Sequence, residues 1–212
     1  MLAALVAVLE ESLSQGFLGP GPVETHLDHA RGFAASAAVG APHRLLDLGS
    51  GGGVPGLVLA TLDWPSAEVV LLDAGERRCV FLAWAVDELG LAPRVAVRRA
   101  RAEEAGREAT LRGEFDLVVA RSFASPAVTA ECAAPFLRVG GKLVVSEPPE
   151  DDDADASTPR VARWPEEGLA EVGLRPLARW TSPFVYQALE QVVPCADRYP
   201  RRTGIPAKRP LF

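Results

Sequence analysis

Short apolar runs that alternate with helical patterns restrict the fold of this sequence more than any other feature. Five runs have the composition of buried strands: RLLDL at 44–48, AEVVLLD at 67–73, RVAVRR at 94–99, EFDLVVA at 114–120 and GGKLVVSE at 140–147. Helical patterns lie between them, and the one at 76–90 groups four apolar residues on its buried side: Val80, Phe81, Trp84 and Leu89. Strands joined by such helices need right-handed crossovers, so the pattern predicts an α/β fold with a mostly parallel, doubly wound sheet.

The segments outside this region have different patterns. Two helices are expected before it, at 2–14 and 24–39, and a short one after it, near 165–172. Two further apolar runs, 173–180 and 184–193, follow each other directly and predict an antiparallel hairpin at one edge of the sheet.

A length of 212 residues fits one domain with a full core. We divide it into an N-terminal helical segment (1–40), a sheet domain (41–196) whose proline-rich, acidic residues 148–160 form a solvated loop, and a basic C-terminal tail (197–212). The net charge of −6 argues against a non-specific polyanion binder, so any nucleic acid must contact a local patch. The tail contains such a basic patch, which either contacts phosphates or only makes the protein more soluble: Arg198, Arg201, Arg202, Lys208 and Arg209.

Other features restrict the compartment and the chemistry. The three cysteines are far apart and form no C-x-x-C pair, which argues against a disulfide framework or a zinc site. His26 and His29 lie one helical turn apart, but no further ligand is evident, so no metal is predicted. The N-terminal apolar run lacks a basic region and meets Glu10 and Glu11, unlike a signal peptide. We therefore expect a soluble cytoplasmic protein without a membrane partner, and favour a monomer.

The stretch LLDLGSGGGVPG at 45–56 contains two overlapping glycine fingerprints. Counted from Gly51, its glycines have the spacing of a dinucleotide-binding loop that ends at Gly56. Counted from Asp47, an acid is followed by glycines at 49, 51 and 53, with Ser50 between the first two. A carboxylate about 4 Å from a pyrophosphate would be repelled by roughly 4 kcal/mol, whereas the ammonium and sulfonium of S-adenosylmethionine would be attracted. The second fingerprint therefore predicts S-adenosylmethionine as cofactor, while a carboxylate that only caps the turn remains the alternative for Asp47.

Two further acids follow the next strands. Asp73 ends the second strand, where a carboxylate can accept both ribose hydroxyls of an adenosine; the alternative is a cap for the helix that begins near Glu76. Glu103, after the third strand, can help to bind the adenine edge, although acids at a helix N-terminus are equally expected there.

The fourth strand ends in VVARSFASP, with Arg121 where methylation of an exocyclic amine usually needs Asn or Asp followed by prolines and an aromatic residue. A ring nitrogen with a free lone pair, such as guanine N7, needs positioning and electrostatics but no general base. Arg121 can bind guanine O6 or a phosphate, or can form a structural bridge with Asp47 or Asp116.

Several separated motifs together resemble one known family: LLDLGSGGGVPGLVLA, LLDAGERRCVFL, RAEE at 101–104, FDLVVARSFASP and YPRRTGIPAKRPL. They are similar to the ribosomal RNA small subunit methyltransferase G family, also called glucose-inhibited division protein B. The resemblance implies a class I S-adenosylmethionine-dependent methyltransferase (Rossmann-like) fold with a seven-stranded sheet, and N7 methylation of a guanine in small-subunit (16S) ribosomal RNA, the partner being that RNA or the small ribosomal subunit. It also implies roles by position: Asp47, Gly49, Gly51 and Gly53 at the methionine end, Asp73 at the ribose, Ala102 and Glu103 at the adenine, and Arg121 at the catalytic face.

The sequence departs from the family pattern in two places. THLDHA at 25–30 keeps His26 but has Thr25 in place of an arginine, and the preceding Asn-Leu-Thr segment is absent. After the fifth strand, Ser146-Glu147 replaces the usual Lys-Gly. Both changes remove positive charge where RNA is expected. Two alternatives therefore stay open: a relative that acts on a small molecule or another RNA, and a non-catalytic S-adenosylmethionine-binding module.

Overall fold

A seven-stranded mixed sheet forms the centre of the molecule, in the strand order β3-β2-β1-β4-β5-β7-β6. A computed structural model describes residues 1–148 and 163–212. The strands are β1 (Arg44–Leu48), β2 (Glu68–Asp73), β3 (Val95–Arg99), β4 (Phe115–Ala120), β5 (Leu137–Glu147), β6 (Leu174–Thr181) and β7 (Val185–Gln191). The first five pair in parallel, and β7 pairs antiparallel with both β5 and β6. The predicted parallel sheet and its antiparallel edge hairpin are confirmed.

Helices cover both faces of this sheet. They are α1 (Leu2–Ser14), α2 (Val23–Arg31), α3 (Gly56–Val58), α4 (Glu76–Glu88), α5 (Ala102–Ala105), α6 (Pro126–Ala133), α7 (Glu166–Ala170) and α8 (Ile205–Lys208). A wider π turn over Leu59–Asp63 extends α3. Successive residues of a strand point to opposite faces, so Leu45 joins the core under α1 to α4 while Leu46 joins the core under α5 to α7.

Two details of the predicted helices are wrong. The helix expected at 24–39 ends at Arg31, and only a single 3₁₀ turn, Gly32–Ala34, continues it. In α4, Val80 and Trp84 are 67% and 39% exposed. Its buried stripe instead follows a spacing of three and four residues, through Leu82, Ala85, Val86 and Leu89. At about 100° per residue, Val80 and Trp84 lie on the opposite side of the helix from that stripe.

The C-terminal residues pack onto the body instead of extending from it. Arg112 donates hydrogen bonds to the carbonyl oxygens of Cys195, Ala196 and Tyr199, which hold this segment in place. Arg201 forms an ion pair with Glu131 of α6, whose side chain is fully buried; the closest nitrogen and oxygen are 2.5 Å apart. The predicted acidic loop lies, apart from Pro148, outside the described residues. In the described part of the chain, no helix has the length and apolar character that crossing a bilayer requires.

Candidate cofactor and acceptor site

The glycine loop after β1 bends sharply at the carboxyl end of the sheet. Gly49 and Gly51 have φ angles of +76° and +54°, which L side chains rarely adopt. The backbone N–H groups of Gly49 and Ser50 both donate to the carbonyl of Leu72, at 2.9 and 3.0 Å. The loop is thereby fastened to the end of β2, and its backbone borders a cavity.

That cavity has a volume of about 480 Å³ and lies where β1, β2 and β4 end. Ligands of open α/β sheets bind in this position, beyond the carboxyl ends of the strands. Its walls come from the segment before α2, the glycine loop and the segments that follow β2, β3 and β4. The residues are Phe17, Leu18 and Gly19 before α2; Gly49, Ser50, Gly51, Gly52 and Val54 of the glycine loop; Asp73, Ala74 and Arg78 at and after the end of β2; Arg101 after β3; and Arg121, Ser122 and Phe123 after β4.

Asp73 connects the two loops that follow β1 and β2. Its Oδ2 accepts from the N–H of Gly51 at 3.0 Å, and its Oδ1 accepts from Gly75 at 2.7 Å and from Nε of Arg78 at 2.9 Å. Gly75, not Asp73, is the N-cap residue of α4, and no side chain caps that helix. The alternative of Asp73 as the helix cap is therefore wrong, and its carboxylate lies on the cavity wall.

Asp47 lies beneath the glycine loop and is 1% exposed. Its Oδ2 accepts from the N–H of Gly56 at 2.9 Å, while Oδ1 has no hydrogen-bond partner among the described residues. A Cβ on Gly56 would meet Oδ2 at 2.4 Å, so this glycine serves packing, and it is not among the residues that line the cavity. Burial raises the pKa of the Asp47 carboxyl to about 7, against its ordinary 3.8.

Arg121 projects from the end of β4 and meets the N-terminal segment. Its Nη2 is 3.1 Å from Nδ1 of His26, whose Nε2 is 3.1 Å from the carbonyl oxygen of Gly19. A carbonyl only accepts, so Nε2 of His26 carries the proton and Nδ1 accepts from the guanidinium. The pKa of His26 is lowered, first by burial and then by the charge of Arg121, which keeps the ring neutral.

The structure does not contain the predicted bridges of Arg121 to carboxylates. Asp116 instead accepts from the backbone N–H groups of His43 and Arg44, both at 2.7 Å, and from Arg138 at 2.6 Å. Asp47 is close enough to Arg121 to interact with its charge, but no hydrogen bond joins them. Nη1 of Arg121 is buried and has no hydrogen-bond partner among the described residues.

Ser122 and Phe123 complete this side of the cavity. Ser122 has a φ of 51° and is the one residue other than glycine with a positive φ in the described chain. Such backbone strain concentrates at functional sites. The ring of Phe123 packs against Gly49 so closely that a Cβ there would come within 2.7 Å of it. The glycine loop and the turn after β4 are therefore fitted to each other.

The structure brings some of the predicted site residues together and separates others. Gly49, Ser50, Gly51, Asp73 and Arg121 line the cavity, and Asp47 and Gly53 are buried beneath the loop. Ala102 and Glu103 lie off the lining. Glu103 instead accepts from the N–H of Gly204 at 3.0 Å and so binds the C-terminal segment.

In the predicted basic cluster, Arg201 forms the ion pair with Glu131. The other four residues are exposed: Arg198, Arg202, Lys208 and Arg209. Some cavity residues carried no recognisable signal in the sequence, among them Phe17, Leu18 and Gly19, because only the tertiary fold brings the N-terminal segment here. Arg78 and Arg101 were not predicted, although each of these basic residues closely follows the end of a strand, and that position is a sequence signal for the site. In the described residues, no group of three or more His, Cys, Asp or Glu is placed to hold a metal ion.

Comparison with known proteins agrees with this geometry. A family model described as rRNA small subunit methyltransferase G matches residues 27–154. The chain belongs to the rRNA small subunit methyltransferase G family. Curated members include proteins from Parasynechococcus marenigrum, 35% identical over 186 residues (80% of this chain, 69% of the relative), and Streptococcus pyogenes, 33% identical over 181 residues (85% and 73%). The family resemblance of the sequence motifs is thus confirmed.

Solved structures share the fold of this methyltransferase G family member. An O-methyltransferase from Bacillus cereus in complex with SAH superposes with a TM-score of 0.60 at 17% identity, covering 89% of this chain and 90% of that one. The [4+2]-cyclase SpnF superposes with a TM-score of 0.64 at 16% identity, covering 91% and 94%. The predicted class I methyltransferase fold is confirmed. A cyclase among these neighbours shows that the fold alone does not fix the reaction.

Proposed function

We propose that this protein transfers the methyl group of S-adenosylmethionine to N7 of a guanine in small-subunit ribosomal RNA. One observation carries the proposal beyond family membership: buried Asp47 and cavity-lining Asp73 end adjacent parallel strands beside a glycine loop. Two carboxylates at this position suit a ligand with a cationic amino acid end and a ribose, and oppose a pyrophosphate.

The residues at the cavity fit this cofactor. Oδ1 of Asp47, buried and without a hydrogen-bond partner among the described residues, lies beneath the loop that would border the methionine end, and a cationic group bound there would favour the charged form of this carboxyl. Asp73 would hold the ribose, and the strained glycines leave room for close approach of the adenosine to the backbone. Arg78 and Arg101 lie on the same wall and would border the adenosine.

The chemistry requires little of the protein beyond placement. The cofactor supplies a methyl group on a sulfonium, so the lone pair of N7 forms a bond to the methyl carbon while the carbon–sulfur bond breaks and sulfur keeps the electron pair. No proton leaves N7, so no general base is needed beside the guanidinium of Arg121 and the neutral imidazole of His26. Arg121 would bind guanine O6 or the phosphate with its guanidinium, and His26 would hold that guanidinium in place.

A calorimetric titration tests the cofactor assignment directly. We expect S-adenosylhomocysteine to bind more tightly than NAD, and Asp73→Ala to weaken its binding by a few kcal/mol at most, through lost charge-assisted hydrogen bonds. Asp87→Ala, on the last turn of α4, is the control and should leave the dissociation constant unchanged. Tighter binding of NAD would contradict the assignment.

A methylation assay tests the reaction. Small-subunit rRNA from cells that lack the gene is incubated with the enzyme and methyl-labelled S-adenosylmethionine, and the digested nucleosides are separated. We expect label in 7-methylguanosine, and its loss with Arg121→Ala. Label in a methylated amine or ribose, or none at all despite cofactor binding, would contradict the proposal.

A further inference from the structure

A second cavity adjoins the one described above and shares Ser122 and Phe123 with it. Its volume is about 380 Å³, within the range of small-ligand sites. The lining residues that bear on recognition are His29 of α2, Glu147 at the end of β5, Arg163 and Trp164 before α7, and Phe184 in the turn between β6 and β7.

Aromatic rings dominate one part of this lining. His29 stacks on Phe184 with ring centroids 4.2 Å apart and planes inclined by 20°. Burial lowers the pKa of His29 to about 4, so the ring is neutral at neutral pH. Neutral aromatic surfaces of this kind stack on nucleobases that have left a helix.

Glu147 is the acidic residue of the lining, and its side chain is only 6% exposed. One carboxylate oxygen accepts from Nε of Arg163 at 2.6 Å and the other from Nε1 of Trp164 at 3.1 Å. Each carboxylate oxygen can accept about two hydrogen bonds, so each keeps an acceptor position. Two acceptors on one carboxylate match the adjacent N1–H and 2-amino donors of guanine, whereas adenine has no donor at N1.

We infer that this second cavity binds the acceptor guanine after it is flipped out of the RNA, with Glu147 accepting from its N1–H and 2-amino groups. This inference rests on the proposed function and names the acceptor side of that site. N7 lies on the opposite edge of a purine from these donors, so a base held by Glu147 keeps N7 away from the carboxylate, in a cavity that shares Ser122 and Phe123 with the cofactor cavity. Methylation at N7 leaves a positive charge on the purine, which a carboxylate at N1–H stabilises.

The test compares guanosine with inosine at the mapped acceptor position of otherwise identical, ligated small-subunit rRNA. Inosine keeps N7 and N1–H but lacks the 2-amino group. We expect wild-type kcat/KM to fall about tenfold on inosine, as for one lost hydrogen bond to a charged acceptor. We expect Glu147→Gln to be about tenfold slower than wild type on guanosine and to lose most of this discrimination, with S-adenosylhomocysteine binding unchanged.

Glu190→Gln is the matched control, because Glu190 also projects from a strand and pairs with an arginine, Arg175, at 2.7 Å. It should methylate both RNAs as wild type does. Equal wild-type rates on guanosine and inosine would overturn the inference while leaving the proposed function intact, and this comparison needs no variant to fold. A wild-type enzyme that forms no 7-methylguanosine on the guanosine RNA would overturn both.

Discussion

At the scale of single residues, Asp47 is where the proposed cofactor site affects stability. Its folded pKa of about 7 is above the ordinary 3.8, because burial disfavours the charged form. A raised pKa means that folding favours the protonated acid. The stability that protonated Asp47 contributes is therefore fully present below about pH 4 and is lost as the pH rises through 7. We predict that Asp47→Asn melts at a higher temperature than wild type at pH 8, that the difference shrinks toward pH 4, and that S-adenosylhomocysteine binding weakens.

Asp116→Asn is the control with the opposite sign. Burial alone would raise the pKa of the Asp116 carboxyl. Hydrogen bonds from the backbone of Arg44, the side chain of Arg138 and the backbone of His43 outweigh this effect and lower that pKa. Its replacement should therefore lower the melting temperature at pH 8. A destabilised Asp47→Asn at pH 8 would contradict the account of Asp47.

His26 is a positioning residue for Arg121, since it touches the guanidinium and Gly19. We predict that His26→Ala lowers kcat about tenfold, the effect expected when one hydrogen bond from a charged donor is lost. S-adenosylhomocysteine binding should be unchanged. Protonation of Nδ1 removes the acceptor, so wild-type kcat should fall as the pH drops below 6.5 toward the lowered pKa. The pH profile of the variant should lack this step, and exposed His43→Ala should retain it. A step that persists in His26→Ala would assign it to another group.

At the scale of elements, the C-terminal segment depends on its ion pair with α6. Breaking a buried ion pair by removing one partner costs about 3–5 kcal/mol, whereas an exposed pair contributes about 1 kcal/mol or less. We therefore expect Glu131→Gln to lower the free energy of unfolding in urea by about 3 kcal/mol, and Glu190→Gln by less than about 1 kcal/mol. Equal effects would show that the C-terminal segment contributes little to the fold.

The central strands β1 and β4 were predictable because each is an apolar run buried on both faces of the sheet, whereas the edge strands β3 and β6 are exposed at several positions. The carboxyl ends of such strands meet at one edge, which is why Asp47, Asp73 and Arg121 were recognisable as a group. The orientation of α4 was not predictable from periodicity alone, since two apolar stripes compete on it and the exposed one contains Val80 and Trp84. Contacts far apart in sequence left no local signal: His26 with Arg121, 95 positions away, and Glu131 with Arg201, 70 away.

At the scale of the whole molecule, the net charge of −6 opposes RNA, so association depends on local basic residues. Arg201 is paired internally, and the exposed Arg202 and Lys208 are better probes of phosphate contact. We predict that replacing both with Ala weakens RNA binding and reduces the slope of log K against log salt by about 1–2. Arg175→Ala, on the β6 edge, should leave the slope unchanged. An unaltered slope in the double variant would make this cluster a solubilising surface.

The central claim concerns one modified base, and nucleoside mass spectrometry of small-subunit rRNA tests it most directly. Four strains are compared: the parent, a deletion of the gene, the deletion complemented with wild type, and the deletion complemented with Arg121→Ala. We predict that the deletion loses one 7-methylguanosine, that wild type restores it, and that Arg121→Ala does not. An unchanged 7-methylguanosine content in the deletion strain would contradict the account.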